Sequence, residues 1–362
     1  MEEPRSGMKI LITGIAGFVG STIAKELLSR DSKLSIYGID NFIRPGSENN
    51  RLELKNLGVH IFHGDIRNRS DLETLPSVDW VIDAAANPSV LAGVDGKTSS
   101  LQLIEHNLGG TINLLEYCKS KQAGFVLLST SRVYSIPGIS EVQVESVDKG
   151  FRPVQDQSFS EGISTYGVSE NYSTMAPVSL YGASKVASEV LALEYGSTFE
   201  FPVWINRCGV LAGRGQFGRP DQGIFSFWIN AYLRKQALKY IGFGGNGEQV
   251  RDCLHPKDLV PLLFKQFEAD PQDTEQICNI SGGIENSMSL AQLSDWCEER
   301  CGYHEVGAEP AMRPFDIPWM VLDNRKAKTV WDWQPITPIN DILEEILEHA
   351  REHPDWLEIS KP

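Results

Sequence analysis

Apolar and polar positions alternate along the chain in two different rhythms. Residues 8–14, MKILITG, are a short β-branched apolar run that stops at glycine, the pattern of a strand buried on both faces. Residues 17–30, GFVGSTIAKELLSR, follow with apolar positions at helical spacing. Further strands are predicted at 34–40, 59–65, 79–85 and 124–130, with an amphipathic stretch near 49–57 and a long helical one at 101–120. Strands alternating with helices require crossover connections, so the pattern predicts a parallel sheet covered on both faces.

Residues 131–178 break that rhythm. They are rich in Ser, Gly, Pro and acidic residues, and a stretch of that length inside a compact domain is often functional. A helix resumes at 181–199 and a strand at 202–211, and glycine-rich turns and short helices dominate after that. Residues 335–353 form an amphipathic helix opened by Thr337 and Pro338. The expected fold is α/β: a Rossmann-type doubly wound parallel sheet with a smaller mixed C-terminal substrate domain. The boundaries are 8–208 for the first unit, with a return segment near 250–262, and 209–362 for the second.

The 362 residues suffice for one large or two interlocked cores. The formal net charge of −15 is the wrong sign for a protein that tracks nucleic-acid phosphates, so no nucleic-acid partner is expected. Any anionic substrate then needs local cations. The six cysteines are scattered, with no Cys-x-x-Cys pair and no histidine pattern to complete a zinc site, which reads as reduced thiols, no metal and a cytoplasmic location. No apolar run is long enough to span a membrane, and the polar start lacks a signal core.

The chemistry concentrates in two places. The first strand enters Gly14-Ile-Ala-Gly17-Phe-Val-Gly20 and then a helix. Glycines let a pyrophosphate approach the main chain, and the helix start offers N–H groups and a positive dipole end. Asp40 closes the second strand, where a carboxylate accepts from an adenosine ribose diol and repels a 2′-phosphate. These features predict NAD as cofactor. Arg44 is the one neighbour that leaves NADP open. Asp65 is either a cap for the adenine amine or a plain turn aspartate.

The second place is Tyr181-Gly-Ala-Ser-Lys185, with a near twin in Tyr166-Gly-Val-Ser-Glu170. Positions i and i+4 share a helix face, and an ammonium there favours the phenolate of a tyrosine that is otherwise a poor base. Lys185 meets that requirement. Glu170 does the opposite and would raise the pKa of Tyr166, so Tyr166 is expected in a loop or at the substrate pocket. Thr130, at the end of an upstream strand, completes a Thr-Tyr-Lys set.

With these motifs in place the chain resembles the extended short-chain dehydrogenase/reductase superfamily, in its nucleotide-sugar branch. Thr13 to Gly20 match its Thr-Gly-x-x-Gly-x-x-Gly pattern, Thr130 to Tyr134 its Ser/Thr-x-x-Val-Tyr motif, and Tyr181 with Lys185 its Tyr-x-x-x-Lys, over nearly the whole chain. The resemblance implies that Tyr181 is the acid/base, Lys185 binds the nicotinamide ribose and Thr130 holds the reacting oxygen. It extends the cofactor set to Phe18, Val19, Asn41, Ile66, Ala84, Ala85, Ala86 and Asn107. It implies a nucleotide-diphosphate sugar as substrate and a homodimer formed through helices near 104–120 and 180–198.

Four stretches, at 84–89, 213–228, 242–259 and 313–327, are more narrowly similar to 2-epimerases of CDP-linked dideoxyhexoses. That likeness implies substrate contacts from Asn87, Ser131, Arg132, Gln216, Phe217, Asp221, Gln222, Arg251 and Arg313, the last two on the diphosphate. Val210, three residues after Arg207, stands where several related epimerases carry a diphosphate-binding Asn. Dehydratases of the superfamily carry Asp-Glu after the active threonine and uronate decarboxylases Thr-Ser-Glu, whereas this chain has Ser131-Arg132. A UDP-hexose 4-epimerase remains the enzymatic alternative. A dinucleotide-sensing regulator is the non-enzymatic one, disfavoured because such proteins lose the tyrosine.

Overall fold

The computed structural model of the chain describes residues 7–94, 96, 99–219 and 222–360. Asp221, expected to touch substrate, lies outside the described residues.

The main sheet is parallel throughout. Its strands are β1 (Lys9–Thr13), β2 (Ser35–Asp40), β3 (His60–His63), β4 (Trp80–Asp83), β5 (Gly124–Thr130), β6 (Val203–Cys208) and β7 (Ile277–Ile280). Their order is β7-β6-β5-β4-β1-β2-β3, so β1 lies between β2 and β4. The chain reverses its direction of travel there, and a crevice opens beyond the carboxyl ends of the strands at such a switch point. The unbroken apolar runs are explained by two buried faces. Along β1, Ile10 and Ile12 point into one core with Ile23, Ala24 and Leu27 of helix α1 (Phe18–Arg30). Leu11 points the other way, into a core with Leu114, Leu115 and Cys118 of helix α2 (Gly110–Lys121) and Ala192 of helix α3 (Ser179–Phe199).

The return to this unit differs from the expected one. Residues 256–268 do pack on α1 through Leu259, Val260, Leu263 and Phe267. Val250–Leu254, however, belongs to a small sheet with Val210–Leu211, Ser287–Ser289 and Trp319–Met320, while the seventh main-sheet strand is β7. Pairing of β7 with β6 over Ile205↔Ile277 to Cys208↔Ile280 is a long-range register with no local signature. The second unit closes around helices α4 (Ile224–Leu233), α5 (Leu290–Cys301) and α6 (Ile339–Glu352), whose Trp228, Leu293 and Ile346 meet in one core.

The irregular stretch 131–178 is ordered into small pieces: a helix at Ile136–Ser140 and hairpins Val144–Val147/Gly150–Pro153 and Ile163–Ser164/Gly167–Val168. Its Tyr134, Ile139, Ile163 and Val168 bury against Ile317, Met320 and Leu322. No helix among the described residues is long and apolar enough to cross a membrane.

Candidate active site

One cavity of about 740 Å³ runs along the carboxyl edge of the main sheet, within the range of small-molecule sites, roughly 300–1,000 Å³. Its floor follows the strand order: Asp40 at the end of β2, Gly14 after β1, Ala84 after β4, Thr130 at the end of β5 and Cys208 at the end of β6.

At the β1/β2 end, Gly14, Gly17, Phe18, Val19 and Gly20 all line the cavity. Gly14 has φ +62°, and a Cβ on Gly20 would lie 2.4 Å from the Gly14 carbonyl oxygen, so side chains here would pry strand and helix apart. Gly17 caps α1 with no side-chain acceptor, which leaves the N–H groups of the first turn available. This cradle fits a pyrophosphate. Asp40 is fixed beside it: its carboxylate accepts the N–H of Ala16 at 2.9 Å and of Phe42 at 2.8 Å. Burial raises its pKa against the lowering effect of those bonds.

Asp65 and Asn41 line the same end with Ile66. The Asp65 carboxylate is gripped by Arg67, at 2.9 and 2.6 Å, and by the Asn41 amide at 3.0 Å, and the arginine holds it well below the usual carboxylate range. That grip favours the turn-aspartate reading. Thr13 ties the two strand ends under the turn: its hydroxyl donates to Asp83 at 2.8 Å and accepts from Ala84 and Ala85. Ala84, Ala85, Ala86 and Asn87 line the wall above. Asn107 does not line the cavity, contrary to the expected cofactor contact. Its amide oxygen accepts the Asn87 N–H at 2.8 Å and its amide nitrogen donates to the Asn87 carbonyl at 3.1 Å, so both ends are spent bracing that wall from behind.

In the middle of the cavity lie Thr130, Tyr181 and Lys185. Helix α3 approaches the turn after β5 this closely because of Gly182: a Cβ there would sit 2.3 Å from the Arg132 carbonyl oxygen. Tyr181 is only 6% exposed. Burial raises its pKa, and the hydrogen bond with Thr130 and the charge of Arg132 pull it back down. Arg132 thus adds a cation near the phenol, beside the Lys185 expected from the i, i+4 spacing. Lys185 turns its Nζ toward the Leu128 carbonyl at 3.3 Å, and burial lowers its pKa against the attraction of Asp83.

The remaining wall is cationic. Arg132, Arg251 and Arg313 line it with Ser131, around one carboxylate, Asp316. Arg251 bonds Asp316 at 3.1 Å, and Arg313 stands 4.0 Å from it. Burial, then the Arg132 charge, pushes Arg251 down to about 10. Three guanidinium groups about one aspartate leave local positive charge in an acidic protein, the condition a diphosphate requires. Sequence reasoning missed Asp316, three residues past Arg313. It also missed Phe315, which holds φ +62° and offers its carbonyl to Arg132 at 3.4 Å. The adjacent Arg-Pro-Phe-Asp text was the available signal, but only the paired folding of distant arginines gives it meaning.

Gln216, Phe217 and Gln222 also line the cavity. Phe217 stacks on Trp356 with ring centroids 5.2 Å apart. Gln222 turns its side-chain oxygen to Arg44 at 2.5 Å. Tyr166 stays outside: it is 55% exposed at the turn of its hairpin, with the Arg325 guanidinium 4.1 Å from its ring centre. The pocket reading of Tyr166 is thereby excluded and the loop reading stands.

Comparison with known proteins agrees with this geometry. A CDP-paratose 2-epimerase of Salmonella typhi is 28% identical over 353 residues, covering 94% of this chain and 98% of its own. An uncharacterized UDP-glucose epimerase of Bacillus subtilis is 30% identical over 348 residues, covering 93% and 96%. The solved UDP-glucuronic acid 4-epimerase from Bacillus cereus, in complex with UDP-glucuronic acid and NAD, superposes with a TM-score of 0.74 at 25% identity, covering 95% of this chain and 99% of that one. Residues 10–281 match the NAD dependent epimerase/dehydratase family, so the chain belongs to that family and takes NAD as its cofactor.

Proposed function

We propose that this enzyme epimerises C2 of CDP-paratose to give CDP-tyvelose, through a transient 2-keto sugar. The observation that carries the epimerase reading is the acid/base inventory around Tyr181. Thr130 is followed by Ser131 and Arg132, and two carboxylates that line the cavity with them are hydrogen-bonded to protein groups. Asp316 is bonded to Arg251, and Asp252 accepts the N–H groups of Val210 and Leu322. Among the described residues, Tyr181 with Thr130 supplies the proton acceptor that oxidation and its reversal need, and no Asp-Glu pair follows Thr130 for the elimination step of a dehydratase.

NAD, when bound, supplies the acceptor that takes hydride from the sugar carbon and gives it back. The chain does the rest. Tyr181 takes the proton of the reacting hydroxyl, helped toward phenolate by Thr130 and Arg132. Thr130 holds the reacting oxygen. The glycine turn and Asp40 seat the dinucleotide, and Lys185, one helical turn past Tyr181, serves its nicotinamide ribose. Arg132, Arg251 and Arg313 hold the diphosphate. With that end fixed, the oxidised sugar turns over and its other face receives the hydride.

The choice of C2 and of cytidine rests on the Salmonella relative and on the resemblance of the stretches at 84–89, 213–228, 242–259 and 313–327 to 2-epimerases of CDP-linked sugars. A second reading, epimerisation at C4 of a UDP-hexose, is supported by the Bacillus relatives. One experiment separates them. CDP-paratose deuterated at C2 should yield CDP-tyvelose with the label kept at C2, as a returning hydride requires. Washout into water would point to deprotonation beside a carbonyl and sink the mechanism. Turnover of UDP-glucose or UDP-glucuronic acid, with none of the CDP sugar, would replace C2 by C4.

A further inference from the structure

Arg44 sits four residues past Asp40, on the cofactor side of the cavity, yet its guanidinium is spent across the cavity on the second unit. Its Nη1 donates to the side-chain oxygen of Gln222 at 2.5 Å and its Nη2 to the carbonyl of Phe217 at 2.9 Å. The guanidinium also lies 5.7 Å from the centre of the Phe217 ring. Both ends of this bridge are bonded into their surroundings. On the near side, the Asp40 carboxylate clamps the N–H groups of Ala16, inside the glycine turn, and of Phe42, and the Ser47 N–H bonds the Arg44 carbonyl. On the far side, Phe217 is stacked on Trp356, and the Gln216 carbonyl accepts from both the Trp356 indole and the Ser226 hydroxyl. Arg44, Phe217 and Gln222 all line the cavity that also holds Gly17 and Asp40.

We propose that Arg44 is a positioning residue for the cofactor: it ties Phe217 and Gln222 to the dinucleotide end of the cavity, and so holds NAD in place from one turnover to the next. This rests on the seating of NAD at the glycine turn and not on which sugar carbon reacts. A fork of two donors suits the task, since one lysine ammonium cannot reach both acceptors with the same geometry. The bridge also accounts for Arg44 beside a ribose-binding Asp40. Two of its donors serve protein acceptors, the Gln222 side chain and the Phe217 carbonyl. An enzyme that restores its cofactor in every cycle gains from such a strap, because a release between oxidation and reduction would strand the keto sugar.

The test needs no sugar. Holoprotein is loaded with NAD, desalted, and chased with isotopically labelled NAD, and the exchange rate and the bound stoichiometry are read. Arg44→Ala should exchange about tenfold faster or more, as loss of charge-assisted bonds that act mainly on release predicts. Arg44→Lys should fall between it and the native protein, and Gln222→Ala, which keeps the Phe217 bond, should show a smaller rise. Should Arg44→Ala fail to fold, Gln222→Ala alone still decides. Unchanged exchange in a folded variant overturns the strap, even if its melting temperature drops. A change in NADP affinity with NAD exchange unaltered also overturns it, in favour of a ribose-selectivity role.

Discussion

Two segments of the molecule carry the same text, Ser-x-Tyr-Gly-x-Ser, and fold in opposite ways. In residues 179–184 the Ser179 hydroxyl accepts the Gly182 N–H at 3.1 Å, opening α3 and burying Tyr181 against Thr130. In residues 164–169 the Ser164 hydroxyl accepts the Tyr166 N–H at 3.1 Å, tightening a hairpin turn with Tyr166 in solvent. The neighbouring residues decide between them. Ala, Ser, Lys, Val and Leu after Tyr181 sustain a helix, whereas Glu170, Asn171 and the prolines of 177 and 153 bracket a stretch that cannot. Both glycines are demanded by close approach, but by different neighbours. A Cβ on Gly182 would strike the Arg132 carbonyl beside the reacting centre, and one on Gly167, at φ +135°, the Asp323 N–H region 2.5 Å away. The fifth residue differs in kind as well. Lys185 enters the cavity, while the Glu170 carboxylate accepts the Asn279 N–H at 2.6 Å and closes the end of β7. A motif four or five residues long thus names a local bonding habit, and its chemistry depends on which surface it is folded against.

The largest test of this contrast is Tyr181→Phe. Turnover should fall by about 10³-fold or more, since proton transfer at the reacting hydroxyl is lost. NAD should remain bound, as judged by the nucleotide released on denaturation. Retention of more than a tenth of native kcat would mean that another group takes the proton.

The same substitution at the two glycines should then split cleanly. Gly182→Ala is expected to lower kcat by about 100-fold, because α3 must move off the Arg132 carbonyl and carry Tyr181 with it. Gly167→Ala should instead cost stability, about 1–3 kcal/mol, with near-native turnover in the folded fraction. Thermal melts and steady-state rates on both variants check this, and equal losses of turnover would erase the distinction.

A smaller effect separates the two fifth residues by pH. Burial holds the Glu170 carboxyl above its ordinary 4.5, so the folded state binds its proton more tightly than the unfolded one. Its favourable contribution is therefore complete below 4.5 and lost as pH rises through the raised folded value. Glu170→Gln removes the titration, and its stability relative to the native protein should improve across that window. A difference that is flat with pH would show that Glu170 titrates alike in both states. The smallest change is expected from Tyr166→Phe, which keeps the ring under Arg325. Stability should stay within about 0.5 kcal/mol and kcat should be native. A large loss of activity there would reverse the assignment of the two tyrosines.

The sequence by itself determined the alternation of strands and helices, the glycine turn with Asp40 twenty residues past Gly20, and the set Thr130, Tyr181, Lys185. Each is a local property: a hydrophobic period, a turn chemistry, or a spacing that puts two side chains on one helix face. Only the tertiary structure decided the rest. It placed Ile277–Ile280 as the seventh strand, drew Asn107 behind the wall it was expected to line, and brought the Arg132 charge near Tyr181. It also joined Arg44 to Gln222, 178 residues away. A hydrogen bond or a charge acts over a few ångströms of space, and nothing in the letters near Arg44 or Asn107 records which distant residue the fold brings within that reach.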